Sequence, residues 1–270
     1  MNNDKMNIMK FELDQMVINP TILLVGKRGS GKSYVVRELV YHFRDMAAGT
    51  IISPTEKMNG FYGKFFPDLF VHFEISMKLL QDIMIRQYEI VSKNKRKNEE
   101  GKRIDTRALV VMDDCLADAK KWKNDSSIKD IMMNGRHYHI TYILTLQCPL
   151  GIGPDLRPNF DYFILTKDDT GINKKKLWTN YVSIISEYKM FLAVFDKCTS
   201  NFRCLVVDNR TPKTFINQKV FWFKSPNREF MFGSKKFVSK HNEYYNKNFL
   251  EDSLKEAIKG AKTGGGVVLM

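Results

Sequence analysis

No apolar run in this 270-residue chain approaches the roughly 18 residues that would span a bilayer. The opening stretch, MNNDKMNIMKFELDQM, mixes charges with apolar side chains and so lacks the apolar centre of a secretory signal. The four cysteines (Cys115, Cys148, Cys198 and Cys204) form no Cys-x-x-Cys pair, and a zinc site would need ligands gathered from far apart. Neither a disulfide framework nor structural zinc is expected. Acidic residues are in deficit, with 30 Asp and Glu against 43 Lys and Arg, for a formal charge of +13. What remains is ordinary globular composition, 43% hydrophobic and 27% charged, sufficient for one large domain with an appendage. A soluble, intracellular protein is expected. The basic surplus suits a polyanion such as nucleic acid, yet charge alone does not choose the partner.

Residues 20–25 (PTILLV) read as a buried strand. A glycine-rich turn follows, and then Tyr34, Val35, Val36, Leu39, Val40 and Phe43 recur at helical spacing. Further strands are expected at 49–54, 69–74, 108–112, 140–147, 161–166 and 202–209. Helices are expected at 76–92, from 126 to a stop near Gly135, and at 185–199. Residues 93–107 (KNKRKNEEGKRIDTR) read as a charged loop, either solvated or touching nucleic acid. Strands alternating with helices predict an α/β fold, a mostly parallel central sheet flanked by helices. The expected division is an N-terminal segment (1–19), a core (20–210) and a small C-terminal extension (211–270). In that extension EDSLKEAIKGAK reads as a short helix and Gly264 to Gly266 as the start of a flexible tail. Its aromatic residues, among them Phe221, Trp222, Phe223, Tyr244 and Tyr245, read as core rather than as base-stacking platforms.

Gly26-Lys27-Arg28-Gly29-Ser30-Gly31-Lys32-Ser33 fits the P-loop pattern G-x-x-x-x-G-K-[ST] without a mismatch. The glycines let backbone N–H groups curl around phosphate oxygens where side chains would clash. Lys32 supplies a cation for the β- and γ-phosphates of ATP, and the Ser33 hydroxyl suits Mg²⁺. The following helix aims its partially positive N-terminus at the same anion. Strand 108–112 ends in Asp113 and Asp114. Asp113 is the expected metal carboxylate of a Walker B motif, and Asp114 is placed to deprotonate an attacking water. Paired acids at a strand end also occur as an N-cap beside a solvent-facing residue, but the upstream P-loop favours the metal-site reading.

Two strands, near Ile51 and Phe70, lie in sequence between these motifs. The acid pair is therefore not expected on the next strand, as it is in simple nucleotide kinases. Gln147, ending strand 140–147, suits a sensor of the γ-phosphate or simply a polar strand terminus. Together these features point to the additional-strand, catalytic-acid class of P-loop ATPases, in which hydrolysis is coupled to motion.

Four segments carry a family resemblance: IISPTEKMNGFYGKFFPDLFVHFE, ALVVMDDC, NGRHYHITYILTLQ and LRPNFDYFIL. Over roughly residues 20–210 the chain resembles the genome-packaging ATPases of nucleocytoplasmic large DNA viruses, the poxvirus-type relatives of the FtsK/HerA translocases. The resemblance implies a homo-oligomeric ring, hexameric or pentameric, that threads double-stranded DNA into a preformed capsid during virion assembly. It implies ATP and Mg²⁺ as cofactors, capsid or inner-membrane virion components as partners, and a place in the virion or the viral factory of the host cytoplasm. By the same resemblance Lys32 and Ser33 match the P-loop residues, Asp113 the metal carboxylate, Asp114 the catalytic acid and Gln147 the polar sensor. One departure stands out, because the wider group usually carries Glu where this chain has Asp114.

Ring ATPases fire at subunit interfaces, where a neighbour's arginine neutralises transition-state charge. Arg157, in LRPNFD, is the leading candidate and Arg136, in NGRH, the alternative. His137 and His139 read as structural, since no third metal ligand lies nearby. The rival functional readings are a nucleic-acid-dependent helicase, a nucleotide kinase and a nonenzymatic, nucleotide-gated assembly scaffold.

Overall fold

A computed structural model of the chain describes residues 7–115, 122, 125–210 and 213–248. The parallel strands are β1 (Thr21–Val25), β2 (Ala48–Ile52), β3 (Val71–His72), β4 (Ala108–Met112), β5 (Ile140–Leu146) and β6 (Tyr162–Leu165). Most are continuous apolar runs, as strands covered on both faces must be. Alternation along β1 shows the two faces directly: Leu23 and Val25 enter one core, Ile22 and Leu24 the other. β7 (Arg203–Asp208) and β8 (Val220–Lys224) extend the sheet antiparallel at one edge.

The sheet order is β3-β2-β4-β5-β1-β6-β7-β8. Here β5 lies between the P-loop strand β1 and the acid-bearing strand β4, pairing Val25 with Leu146 on one side and Met112 with Leu144 on the other. An inserted strand is what the additional-strand class predicts, but it is β5, which follows the acid pair in sequence; the strands near Ile51 and Phe70, which lie between the motifs in sequence, pair beyond β4. The insertion brings the C-terminal ends of β1, β4 and β5 to one edge of the sheet, where α/β folds place their ligand sites.

The described helices are α1 (Lys32–His42), α2 (Glu56–Asn59), α3 (Met77–Glu99), α4 (Ser126–Asn134), α5 (Gly171–Tyr181), α6 (Tyr188–Cys198), α7 (Ile216–Lys219) and α8 (Lys235–Tyr244). Among the described residues no helix is long and apolar enough to cross a membrane. α3 corrects the expected loop at 93–107. Capped by the Ser76 side chain, it continues through residues free of Gly and Pro. It stops only at Gly101, whose φ of 70° closes the turn while Lys102 N donates to Lys97 O at 2.9 Å. The strand expected at 69–74 shrinks to Val71–His72, because a 3-10 turn, Asp68–Phe70, takes its first residues. α5 was not expected from the sequence. Only Leu177 and Tyr181 of its side chains are buried, too few to mark a stripe.

The segment expected as a C-terminal extension supplies β8 and α8. Phe232 stacks on Phe66 with ring centroids 4.5 Å apart, and Phe237 stacks on Phe70 at 4.1 Å. The N-terminal segment is tied to β8 at the opposite edge, with Phe11 N donating to Trp222 O at 2.8 Å. Phe221 and Phe223 are buried as expected of core residues, whereas Tyr244 is exposed. The expected helix in EDSLKEAIKGAK and the glycine tail lie outside the described residues.

Phe232 is fully buried against Phe66, so Phe232→Ala should lower unfolding free energy by about 3–5 kcal/mol. Urea denaturation followed by tryptophan fluorescence measures this; a change within about 0.5 kcal/mol would show that residues beyond 210 do not support the core.

Candidate nucleotide site

The loop from Gly26 to Ser33 connects β1 to α1 and stands at the C-terminal end of the sheet. Gly29 and Gly31 have φ of 76° and 89°, a left-handed backbone that lets the loop turn its amides inward without Cβ strain. Ser30 fixes the loop from behind: its hydroxyl donates to Lys27 O at 2.7 Å and meets the Thr166 hydroxyl at 2.6 Å. The Lys27 side chain points away, to Asp169 at 2.8 Å, and Arg28 lines the mouth of the cleft.

Lys32 is buried, and its ammonium donates to the Lys27 carbonyl at 3.0 Å. Burial lowers its pKa, opposed by the nearby Asp113 and Asp114 carboxylates. An ammonium held this way, with no carboxylate of the described residues in contact, gains charge compensation when a phosphate enters. Ser33, next on α1, opens to the same cleft.

Asp113 is buried at the end of β4, and burial raises its pKa against the hydrogen bond from Thr145. Thr145 sits on β5, the intervening strand. Its hydroxyl donates to Asp113 Oδ1 at 2.6 Å and accepts the amide of Asp114 at 3.1 Å. Asp114 itself has φ of 55°, a left-handed turn that takes the chain off the strand. Its carboxylate accepts a hydrogen bond from Gln147 Nε2. The proposed acid and the proposed sensor therefore meet. Thr145 was missed by the sequence reading, because a threonine inside a strand carries no motif; its inward-facing position opposite the acid pair was the available signal.

Tyr62 is a second unanticipated neighbour. Its fully buried hydroxyl faces the Asp113 carboxylate. Burial pushes its pKa well up, so it remains a neutral donor. The Ser33 hydroxyl and the Asp113 carboxylate are oxygen donors that suit a hard cation such as Mg²⁺, with Tyr62 placed to hydrogen-bond the carboxylate from behind.

Lys32, Ser33, Asp113, Asp114 and Gln147 line one cleft of about 1110 Å³. Arg136 and Arg157 do not. Both line a separate cleft of about 900 Å³ near the N-terminal ends of the parallel strands, together with Arg210 and Lys213. Arg157 donates to Ile152 O at 2.9 Å and to Asn180 at 2.5 Å. Arg136 pairs with the buried Asp161 carboxylate. Neither arginine belongs to the nucleotide cleft of its own subunit. His137 lies in a 3-10 turn and His139 bonds Thr106 at 2.5 Å, so the pair is not the strand-borne H-x-H a metal would use. Among the described residues no cluster of three or more His, Cys, Asp or Glu gathers around one point.

Residues 8–212 match the family of the poxvirus A32 protein. An uncharacterized protein of Acanthamoeba polyphaga mimivirus is 47% identical over 260 residues, 96% of this chain and 92% of the relative. One from Invertebrate iridescent virus 6 is 30% identical over 243 residues, covering 84% and 88% respectively. Among solved structures, the genome packaging NTPase B204 from Sulfolobus turreted icosahedral virus 2, in complex with ATP-gammaS, shares the fold. It superimposes with a TM-score of 0.51 at 16% identity, over 78% of this chain and all of that one.

Two outcomes follow from the acid pair. Thr145→Val removes the hydroxyl that joins Asp113 to Asp114 and should lower kcat roughly 10- to 100-fold with little change in ATP affinity; steady-state turnover beside equilibrium binding separates the two. The second concerns pH. Because the folded pKa of Asp113 is raised, the folded chain keeps a proton that the unfolded chain has released. Stability falls as pH rises from about 4 through the folded pKa, and the penalty is complete above it. Asp113→Asn should therefore be more stable than wild type at pH 7, with the gap closing near pH 4, as urea midpoints at the two pH values would show.

Proposed function

The chain belongs to the poxvirus A32 protein family, and from that membership and the site geometry we propose that it is the ATP-driven motor that packages a viral genome. The protein is an ATPase of the P-loop type. Its work is the translocation of double-stranded DNA into a preformed capsid by a homo-oligomeric ring, in the virion or the viral factory of the host cytoplasm. The ATPase core spans residues 20–210, and the C-terminal segment adds an edge to its sheet. The observation that carries the reading is the convergence of Lys32, Ser33, Asp113, Asp114 and Gln147 on one cleft across three neighbouring strands.

The triphosphate lies on the loop amides, with Lys32 against the β- and γ-phosphates. Ser33 and Asp113 would hold Mg²⁺, which would supply positive charge against the phosphate oxygens. Gln147 orients a water toward the γ-phosphorus and Asp114 takes its proton. The water oxygen bonds to phosphorus as the bond to the β–γ bridging oxygen breaks, and ADP and phosphate leave. Aspartate is a shorter base than glutamate, but its left-handed backbone and its bond to Gln147 hold the carboxylate at the cleft. Arg157, or Arg136 in its place, completes the site of an adjacent subunit by neutralising transition-state charge.

The DNA contacts are to phosphate, sequence-independent and salt-sensitive. The exposed cations of the α3 end and the following turn, Lys93, Lys95, Arg96, Lys102 and Arg103, support such contacts. Turnover with and without long linear duplex DNA, beside mass measurement with an ATP analogue, tests the reading. We expect a severalfold stimulation that weakens with salt, assembly into a ring, and loss of turnover in Lys32→Ala. A persistent monomer without stimulation would sink the motor, and strand separation on a tailed duplex would favour a helicase.

A further inference from the structure

β7 runs antiparallel to β6, with Leu205 opposite Leu165, so its N-terminal end arrives beside the P-loop rather than at the far end of the sheet. The turn leading into it carries two consecutive non-glycine residues in left-handed conformation, Asn201 (φ 54°) and Phe202 (φ 58°). For a phenylalanine this conformation costs on the order of 1–2 kcal/mol. Burial does not repay it, since Phe202 is 79% exposed. The turn is nevertheless firmly held: Arg203 Nη2 donates to Lys197 O at 2.8 Å, and Arg203 N to Ser200 O at 3.1 Å. The result is a rigidly presented aromatic ring. It passes 3.8 Å from the position a Cβ would take on Gly31 and lines the cleft that holds Lys32 and Asp113.

The segment following β8 lines the same mouth of the cleft. Its Ser225 hydroxyl donates to Tyr34 O at 2.8 Å, and Asn227 accepts from Arg37 at 2.6 Å, tying the segment to α1. A nucleotide whose phosphates occupy the loop must place its base past Gly31, at this mouth. Backbone strain held by its surroundings at a ligand cleft marks a functional position rather than a packing one.

We propose that Phe202 is the base platform of this site, stacking the purine of a bound nucleoside triphosphate on its exposed face. The inference rests on the P-loop reading above and adds the element that recognises the rest of the nucleotide. Stacking accepts either purine, because every base offers a π face. The platform is contributed by the antiparallel edge of the sheet, outside every motif that defines the phosphate site.

The test compares ATP with inorganic tripolyphosphate, which offers the loop the same anion without a base, by calorimetry on the full chain. Phe202→Ala should weaken ATP binding about tenfold and leave tripolyphosphate binding unchanged, while Phe202→Trp retains ATP affinity. Phe202→Gly should lose the same ATP affinity while its melting temperature holds or rises, because glycine relieves the strained backbone. ATP affinity unchanged in Phe202→Ala, or ATP and tripolyphosphate weakened in parallel, would overturn the proposal. A wild-type chain that binds neither ligand, or a Lys32→Ala chain that binds both normally, would overturn the P-loop reading beneath it.

Discussion

The site depends on holding two adjacent carboxylates together at the end of a buried strand. Asp113 and Asp114 repel one another, and Asp113 is out of water. A single hydroxyl reconciles them, because Thr145 gives its proton to one and takes the amide of the other. It can do so only because β5 lies between β4 and β1. The insertion of that strand is therefore what provides the acids with their support as well as what separates them from the phosphate loop.

The site concentrates electrostatic tension. Lys32 and Asp113 both carry desolvation penalties, with pKa values shifted toward the neutral form in each case. Tyr62 adds a fully buried hydroxyl facing Asp113. A metal-bound triphosphate would bring the opposite charges to each group, and its binding would relieve what folding leaves unfavourable. Stability is given up at the place where function needs it.

The phosphate loop and the acid pair were legible in the sequence because both are written in contiguous residues: GKRGSGKS after one apolar run, DD after another. The parallel sheet was legible for the same reason, its doubly covered strands being unbroken apolar runs. Thr145 and Tyr62 were not, since their importance comes from facing Asp113 across the fold from residues 32 and 51 positions away. Helix α5 and the turn at Phe202 escaped for different reasons. The first buries too few side chains to show a period, and the second adopts a backbone that its residue types do not predict. The continuation of α3 to Glu99 was hidden by its charge, which says where a helix is wet and not where it ends.

The sheet has two chemically distinct ends. Arg136, Arg157, Arg210 and Lys213 gather near the N-terminal ends of the parallel strands, and the phosphate loop stands at the other. The parallel strands β1, β5 and β6 join them, β5 running from the residue after His139 to the residue before Gln147, about 23 Å at the usual rise for its seven residues. A hydrogen-bonded strand in the middle of a sheet neither stretches nor bends easily. The protein is thus built with short push-rods: a displacement of Gln147 would reach the arginine-bearing turn as movement of one stiff piece, with no flexible joint along β5 to absorb it.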